Sequence, residues 1–226
     1  MWSMIKVELK EYMREIKLMK KQNFTEYDMY SVIASLMREG ANIKELSLRD
    51  VSKRWGRTNR GRIFYGLSSV PDFAVLDVDF ENSENWIDDI NNVYGCVEIK
   101  GINNTLPSIQ KIIAKIKSGK EITIDDGQLL GEVLWYKKVL YTNGLVWKYL
   151  EWNEDKDSWE NIKALVQNRI NKENKEEEPS EWYLSDKIDL DKIEIKETSL
   201  ITLSEEDTTE DEWKHFIEEL QRIKWH

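Results

Sequence analysis

The chain has 226 residues, 40% of them hydrophobic, with a single cysteine and a formal net charge of -10. That length carries one sizeable core, the lone Cys96 excludes an internal disulfide and suits a reducing cytoplasm, and no apolar run approaches the roughly 18 residues of a membrane span. Charge is unevenly spread: 14 Lys/Arg stand against 8 Asp/Glu over residues 1–70, 8 against 12 over 71–150, and 11 against 23 over 151–226, so the acidic total does not exclude a basic face for phosphates.

In chain order, Ile5, Leu9, Tyr12, Ile16 and Met19 recur at spacings of three and four and predict an amphipathic helix over 3–21. The opening MWSMIKVELKEYM has charges from Lys6 onward and no apolar run, so it does not read as a signal peptide. Gln22–Asn23 breaks the helix, and Thr25 is expected to cap a second one over 26–38, closed by Gly40. LSLRDVSKRWGRTNRGR (Leu46–Arg62) is basic and Gly-punctuated and reads as a helical turn followed by a loop. PDFAVLDVD (Pro71–Asp79) reads as a strand opened by proline, where the missing N–H is tolerated. The polar loop ENSENWIDDINN then leads into VYGCVEIKG (Val93–Gly101), whose two-residue alternation predicts a second strand with one dry and one wet face. A short helix over Ile109–Lys117 follows, then a helix capped by Asp125 or Asp126 and running to about Leu140. YTNGLVWKYLEW reads as a hairpin turning on Asn143–Gly144. The charged run NKENKEEEPS is expected to be a solvated helix end and loop, KIEIKETSLITL alternates like a strand, and a closing helix is expected near Asp211–Ile223.

The second strand ends with a carboxylate and an ammonium on one face, Glu98 and Lys100. Glu-Ile-Lys also occurs at Glu15-Ile16-Lys17 and Glu194-Ile195-Lys196. In the first, the two charges lie two apart in a helix pattern and do not face each other; the second has no Pro-Asp upstream. If the strands opened by Pro71 and by Val93 pair antiparallel, Asp72 lands beside Glu98. Two carboxylates at close range repel, and one takes a proton unless a cation is shared. A hard divalent ion such as Mg2+ accepts one or two carboxylates, carbonyls and waters and leaves positions for a phosphate. Lys100 can then orient a water or stabilise phosphate charge, parts that serve metal-assisted attack on a phosphodiester. Asp77 and Asp79 compete with Asp72 as ligands but lie nearer the loop end of the strand, away from Glu98.

Pro71-Asp72 followed by Glu98-Ile99-Lys100 resembles the signature of the PD-(D/E)XK nucleases, the restriction-endonuclease-like superfamily. The resemblance covers roughly residues 25–150. It implies that Asp72, Glu98 and the carbonyl of Ile99 bind Mg2+ (or Mn2+) and that Lys100 assists the nucleophilic water. It also implies a carboxylate on the preceding helix, for which Glu26 is the candidate, sharing a face with Tyr30, Ile33 and Met37; an N-terminal charge favoured by the helix dipole is the rival reading of Glu26. A helix bearing Gln128 in DGQLLGEVLWYKK, followed by YTNGLVW, is similar to nuclease domains of type I restriction subunits, in which Gln128 would complete the pocket. Those relatives often carry Gln-x-x-x-Tyr, whereas Glu132 stands at the tyrosine position here.

Arg49, Lys53, Arg54, Arg57, Arg60 and Arg62 have only Asp50 as counter-charge and, with Trp55 and the glycines between them, suit a phosphate-gripping loop. The same run suits an acidic segment, including this chain's own last third. His215 and His226 have no Cys or His companions, which argues against zinc.

The expected fold is α/β (α+β): a small mixed sheet flanked by helices, organised as an amphipathic helix (1–24), a restriction-endonuclease-like core (25–152) and an acidic extension packed on it (153–226). The expected function is a cytoplasmic Mg2+-dependent nuclease acting on DNA before RNA, with no membrane partner, working alone, as a homodimer or in a larger complex, in a defence, phage or mobile-element setting. The rival is a catalytically idle nuclease-fold protein that binds nucleic acid or a protein partner.

Overall fold

A computed structural model describes residues 7–22, 25–41, 46–53, 59–81, 83, 87–173, 182–184, 186–204 and 206–226. In order, the elements are helices α1 (Leu9–Lys21) and α2 (Asp28–Gly40), strand β1 (Leu46–Asp50), helix α3 (Asn59–Tyr65), strands β2 (Phe73–Asp77) and β3 (Val93–Ile99), helices α4 (Ile109–Lys117) and α5 (Ile124–Tyr136), strands β4 (Lys138–Thr142) and β5 (Val146–Trp152), helix α6 (Lys156–Glu173), strand β6 (Ile195–Thr202) and helix α7 (Glu210–Arg222). Short 3-10 turns stand at Asp88–Asn92 and Trp182–Leu184. Among the described residues, no helix is long and apolar enough to cross a membrane.

The six strands form one mixed sheet in sequence order. Neighbours are antiparallel except β3 and β4, which run parallel and are joined through α4 and α5. Strand alternation sorts the core into two clusters. Ala74, Leu76, Cys96, Val139 and Tyr141 face α3, α4, α5 and α6 on one side. Phe73, Val75, Val97, Ile99, Leu140 and Trp147 face α1, α2 and α7 on the other. The result is a three-layer α/β protein, and residues 153–226 supply the sixth strand of its sheet as well as α7 in its second cluster.

The strand at 93–99 departs from the expected dry and wet faces. It lies between β2 and β4, and all but one of its residues are buried, so Glu98 has no water to face. Leu46–Arg62 departs as well: Leu46–Asp50 is an edge strand paired with β2, and the helical part comes later, at Asn59–Tyr65. That helix is fastened by side chains from α5, with Trp135 Nε1 donating to the Ile63 carbonyl and Tyr136 Oη to the Phe64 carbonyl. Tertiary partners here override a segment with weak propensity of its own. The helix expected to reach Leu140 stops at Tyr136, because Lys138–Thr142 pair with β5 and Val139–Thr142 with β3. Its cap is Thr123, which accepts from the Asp126 N–H while the Asp126 carboxylate accepts from the Thr123 N–H. Thr25 is not a cap: its N–H and hydroxyl both donate to the Asp28 carboxylate, and α2 starts at Asp28. The hairpin stands as expected, with Gly144 at φ +84° and the Asn143 carboxamide oxygen accepting from the Leu145 and Val146 N–H groups.

Gly66, where the chain leaves α3 toward β2, has φ +50°, and an added Cβ would lie 2.5 Å from Cδ1 of the buried Trp135. Gly66→Ala combines left-handed strain with a clash against a packed indole and is expected to cost about 2–4 kcal/mol. Denaturant unfolding checks this; an unchanged midpoint would contradict the tight packing of α5 on this turn.

Candidate active site

The antiparallel register of β2 and β3 sets Phe73 opposite Val97, so Asp72, one residue before β2, meets the end of β3. The Asp72 carboxylate accepts from the Ile99 N–H at 2.6 Å and from the Tyr30 hydroxyl of α2. Its backbone carbonyl accepts from the Val51 N–H just beyond β1, at 3.0 Å. Glu98 points to the α5 side of the sheet, with Lys100 Nζ 2.8 Å from its Oε1. From α5, Gln128 Nε2 donates to Glu98 Oε1 at 2.7 Å and to Glu132 Oε1 at 2.9 Å, while Gln128 Oε1 accepts from Lys100 Nζ at 3.1 Å. Asp125, in the first turn of α5, reaches Lys100 at 3.3 Å. Four expected residues, Asp72, Glu98, Lys100 and Gln128, thus meet at one end of the sheet. Glu26 joins them from the turn preceding α2: its carboxylate accepts from the Gly101 N–H and lies in the fields of Lys100 and Asp125.

Asp72, Glu98 and Lys100 are only 7%, 3% and 7% exposed, and Glu132 is 1% exposed. Three carboxyls in so dry a place cannot all ionise around one ammonium without strain. Burial, then Glu98, pushes the Asp72 carboxyl up to about 8. Burial pushes Glu132 up to about 8 also, and burial followed by Glu132 holds Glu98 well above the usual carboxylate range. Burial works against the charge of Lys100, but Glu98, Glu132 and Asp125 outweigh it and hold its pKa above the ordinary lysine value. As carboxylates, Glu98 Oε2 and Glu132 Oε2 have no donor. A hydrogen bond between these two carboxyls needs a proton on one of them. Besides the Lys100 ammonium, a further positive charge, a proton or a cation, would relieve the crowding of these oxygens at neutral pH.

The described residues contain no group of three or more His, Cys, Asp or Glu side chains arranged to hold a metal. A set of two carboxylates with a backbone carbonyl and waters, the kind Mg2+ accepts, needs no such group. Asp72, Glu98 and the Ile99 carbonyl are donors of that kind; Glu98 Oε2 is buried without a partner, and the two Asp72 oxygens accept from Tyr30 and Ile99.

Asp77 lies at the other end of β2, opposite Leu46 and bonded to the Tyr94 hydroxyl, well away from Glu98. Of the basic run, Arg49 and Lys53 are exposed and Arg62 is half-buried on α3; Arg54, Arg57 and the side chain of Arg60 lie outside the described residues. Lys53 Nζ lies 5.6 Å over the ring of Tyr27.

Three site residues escaped the sequence reading. Tyr30, four residues after Glu26, occupies Asp72 directly. Glu132, four after Gln128 and hence on the same helix face, joins the carboxyl cluster from the position where a tyrosine was anticipated. Asp125, anticipated as a cap, pairs with Lys100. The last third of the chain also reaches this region. Arg169 of α6 donates to the Leu67 and Ser68 carbonyls, with its guanidinium 4.2 Å over Tyr65, and the Ser68 hydroxyl donates to the Gln128 carbonyl. The segment leading to Asp72 is thereby pinned to the helix that carries Gln128.

Fold and site together define a mixed α/β protein with a buried carboxylate–lysine cluster at one end of its sheet. Compared with protein-family models, with curated proteins and with solved structures, the chain matches none.

Proposed function

We propose that the chain is a Mg2+-dependent nuclease (Mn2+ serving as well) that hydrolyses phosphodiester bonds in DNA, on a restriction-endonuclease-like core. The observation that carries this reading is the meeting of Asp72 and Glu98 beside Lys100, with buried carboxylate oxygens that lack any donor. Asp72, Glu98 and the Ile99 carbonyl would hold the ion, with Glu26 at the opening. When bound, the ion supplies charge stabilisation for the phosphate and lowers the pKa of a coordinated water.

The chain's own groups do the rest. The Tyr30 hydroxyl and the Ile99 N–H fix both oxygens of Asp72 and keep its carboxylate turned into the cluster. Gln128 bridges Glu98, Glu132 and Lys100 and holds their mutual spacing. Lys100 stays an ammonium under its carboxylate neighbours, so it donates hydrogen bonds to the attacking water or to a phosphate oxygen and does not serve as the base. Hydrolysis adds the water oxygen to phosphorus and breaks one P–O ester bond, and the water's proton ends on the departing alkoxide. Arg49, Lys53 and Arg62 are the described members of the basic run proposed to meet backbone phosphates.

Labelled DNA incubated with Mg2+, Mn2+ or EDTA tests the reading. Metal-dependent cutting that disappears in Asp72→Asn is the expected result. The rival, an idle protein of the same fold, draws on the closed Lys100–Glu98–Gln128 network. Salt-sensitive DNA binding with no cutting at any metal concentration would select it.

A further inference from the structure

Two exposed apolar side chains stand next in sequence to acidic residues at the rim of the cluster. Tyr27, in the turn before α2, is 60% exposed, and Ile124, the first residue of α5, is 91% exposed. Each adjoins an acidic member of the site: Tyr27 follows Glu26, and Ile124 precedes Asp125, whose carboxylate is 3.3 Å from Lys100. The Tyr27 ring lies 5.2 Å from that of Tyr30, which donates to Asp72. Lys53 completes this side; it stands two residues beyond Val51, whose N–H donates to the Asp72 carbonyl, and its Nζ is 5.6 Å over the Tyr27 ring.

A single exposed isoleucine or tyrosine needs no explanation. Two of them beside carboxylates that lie in each other's field limit what can bind there. Away from the proposed ion, Glu26 and Asp125 repel phosphates, so affinity beside them comes from other groups of the strand. A nucleobase meets that need, because its π-face stacks on tyrosine and an adjacent cation strengthens the contact. Bases inside a duplex are stacked on each other and offer no free face, whereas an unpaired base does.

Resting on the nuclease reading above, we propose that this opening is a binding site for unpaired nucleotides of a DNA strand. Tyr27 is the stacking platform, Lys53 the cation beside it, and Ile124 the apolar wedge that keeps the neighbouring base from restacking. The substrate class is accordingly single-stranded DNA or duplex DNA with a single-stranded overhang.

Three labelled oligonucleotides of one sequence test this: a single strand, a duplex with an overhang and a blunt duplex. Binding is measured by fluorescence anisotropy in Ca2+, and cutting is measured separately in Mg2+. The expected result is binding at least about tenfold tighter for the two substrates with unpaired bases, lost in Tyr27→Ala, kept in Tyr27→Trp and weakened in Ile124→Ala. Equal binding of all three, or an unaltered preference in Tyr27→Ala, overturns the proposal, as does failure of every oligonucleotide to bind, which would leave the opening to a protein partner. Selective binding lost in Tyr27→Ala but with no cutting supports the base site and overturns only the nuclease reading.

Discussion

If the chain cuts DNA as proposed, Lys100→Met is expected to lower the rate by about two to three orders of magnitude while leaving divalent-ion affinity intact. Methionine keeps most of the aliphatic stem, so the cavity beside Glu98 and Gln128 stays filled and only the ammonium is lost. Removing the cation of a buried pair ordinarily costs about 3–5 kcal/mol, because a charge is left uncompensated. Here the cost is smaller, since Glu98 is already held well above the usual carboxylate range and takes a proton when the ammonium is gone. A divalent ion would have to displace that proton, but it would no longer be repelled by an ammonium 2.8 Å from Glu98 Oε1, so its affinity is expected to hold or rise. The signature is thus a fall in kcat with an unchanged or tighter metal midpoint. Loss of metal binding together with activity would make Lys100 a structural prop and would leave the nucleophilic water without its donor.

The second large effect is on stability. Without divalent ions, the folded chain is expected to weaken steadily as pH rises from about 5 to 8. Asp72 and Glu132 titrate near 8 in the folded chain and burial holds Glu98 well above the usual carboxylate range, whereas unfolded carboxyls titrate near 4. Between those values the folded state holds protons that the unfolded state has released, so rising pH favours unfolding. Stability is full below the unfolded pKa and is lost on the way up through the folded one. Each retained proton contributes a slope of about 1.4 kcal/mol per pH unit. Carboxylates with lowered pKa, among them Asp155 and Asp191, act in the opposite sense, but at the acid end, at and below the range of unfolded carboxyls. A divalent ion binds only the deprotonated cluster, so it should restore most stability at the high end and flatten the slope. Urea unfolding at several pH values in EDTA and in Mg2+ reads both effects, with Glu132→Gln expected to remove about one proton's worth of slope. A metal-free chain that gains stability toward pH 8 would contradict the crowded-carboxyl account.

The pairing of Asp72 with the end of β3 was legible because alternation and a Pro-Asp opening identify two strands, and antiparallel pairing fixes which ends meet. The position of Gln128 was legible only through a resemblance, since a glutamine in a first helical turn has no pattern of its own. Burial was not legible. The alternation of VYGCVEIKG reads as half-wet, but a central strand takes its second dry face from α5, a helix whose contribution depends on long-range packing. Tyr30 and Glu132 were invisible for the same reason: each is one residue on a helix face, and only the sheet's end shows which of them turns inward. β1 and α3 went unrecognised because Leu48 is the one buried residue of its strand and Asn59–Tyr65 is held by carbonyl contacts from Trp135 and Tyr136.

Titrating Mn2+ into the metal-free chain by calorimetry at pH 7.5, beside Asp72→Asn and Glu98→Gln, tests the central claim most directly. Saturable binding accompanied by proton release and lost in both variants is the predicted result. No binding at millimolar ion, or binding that survives both substitutions, would mean that these carboxyls keep their protons and hold no cation.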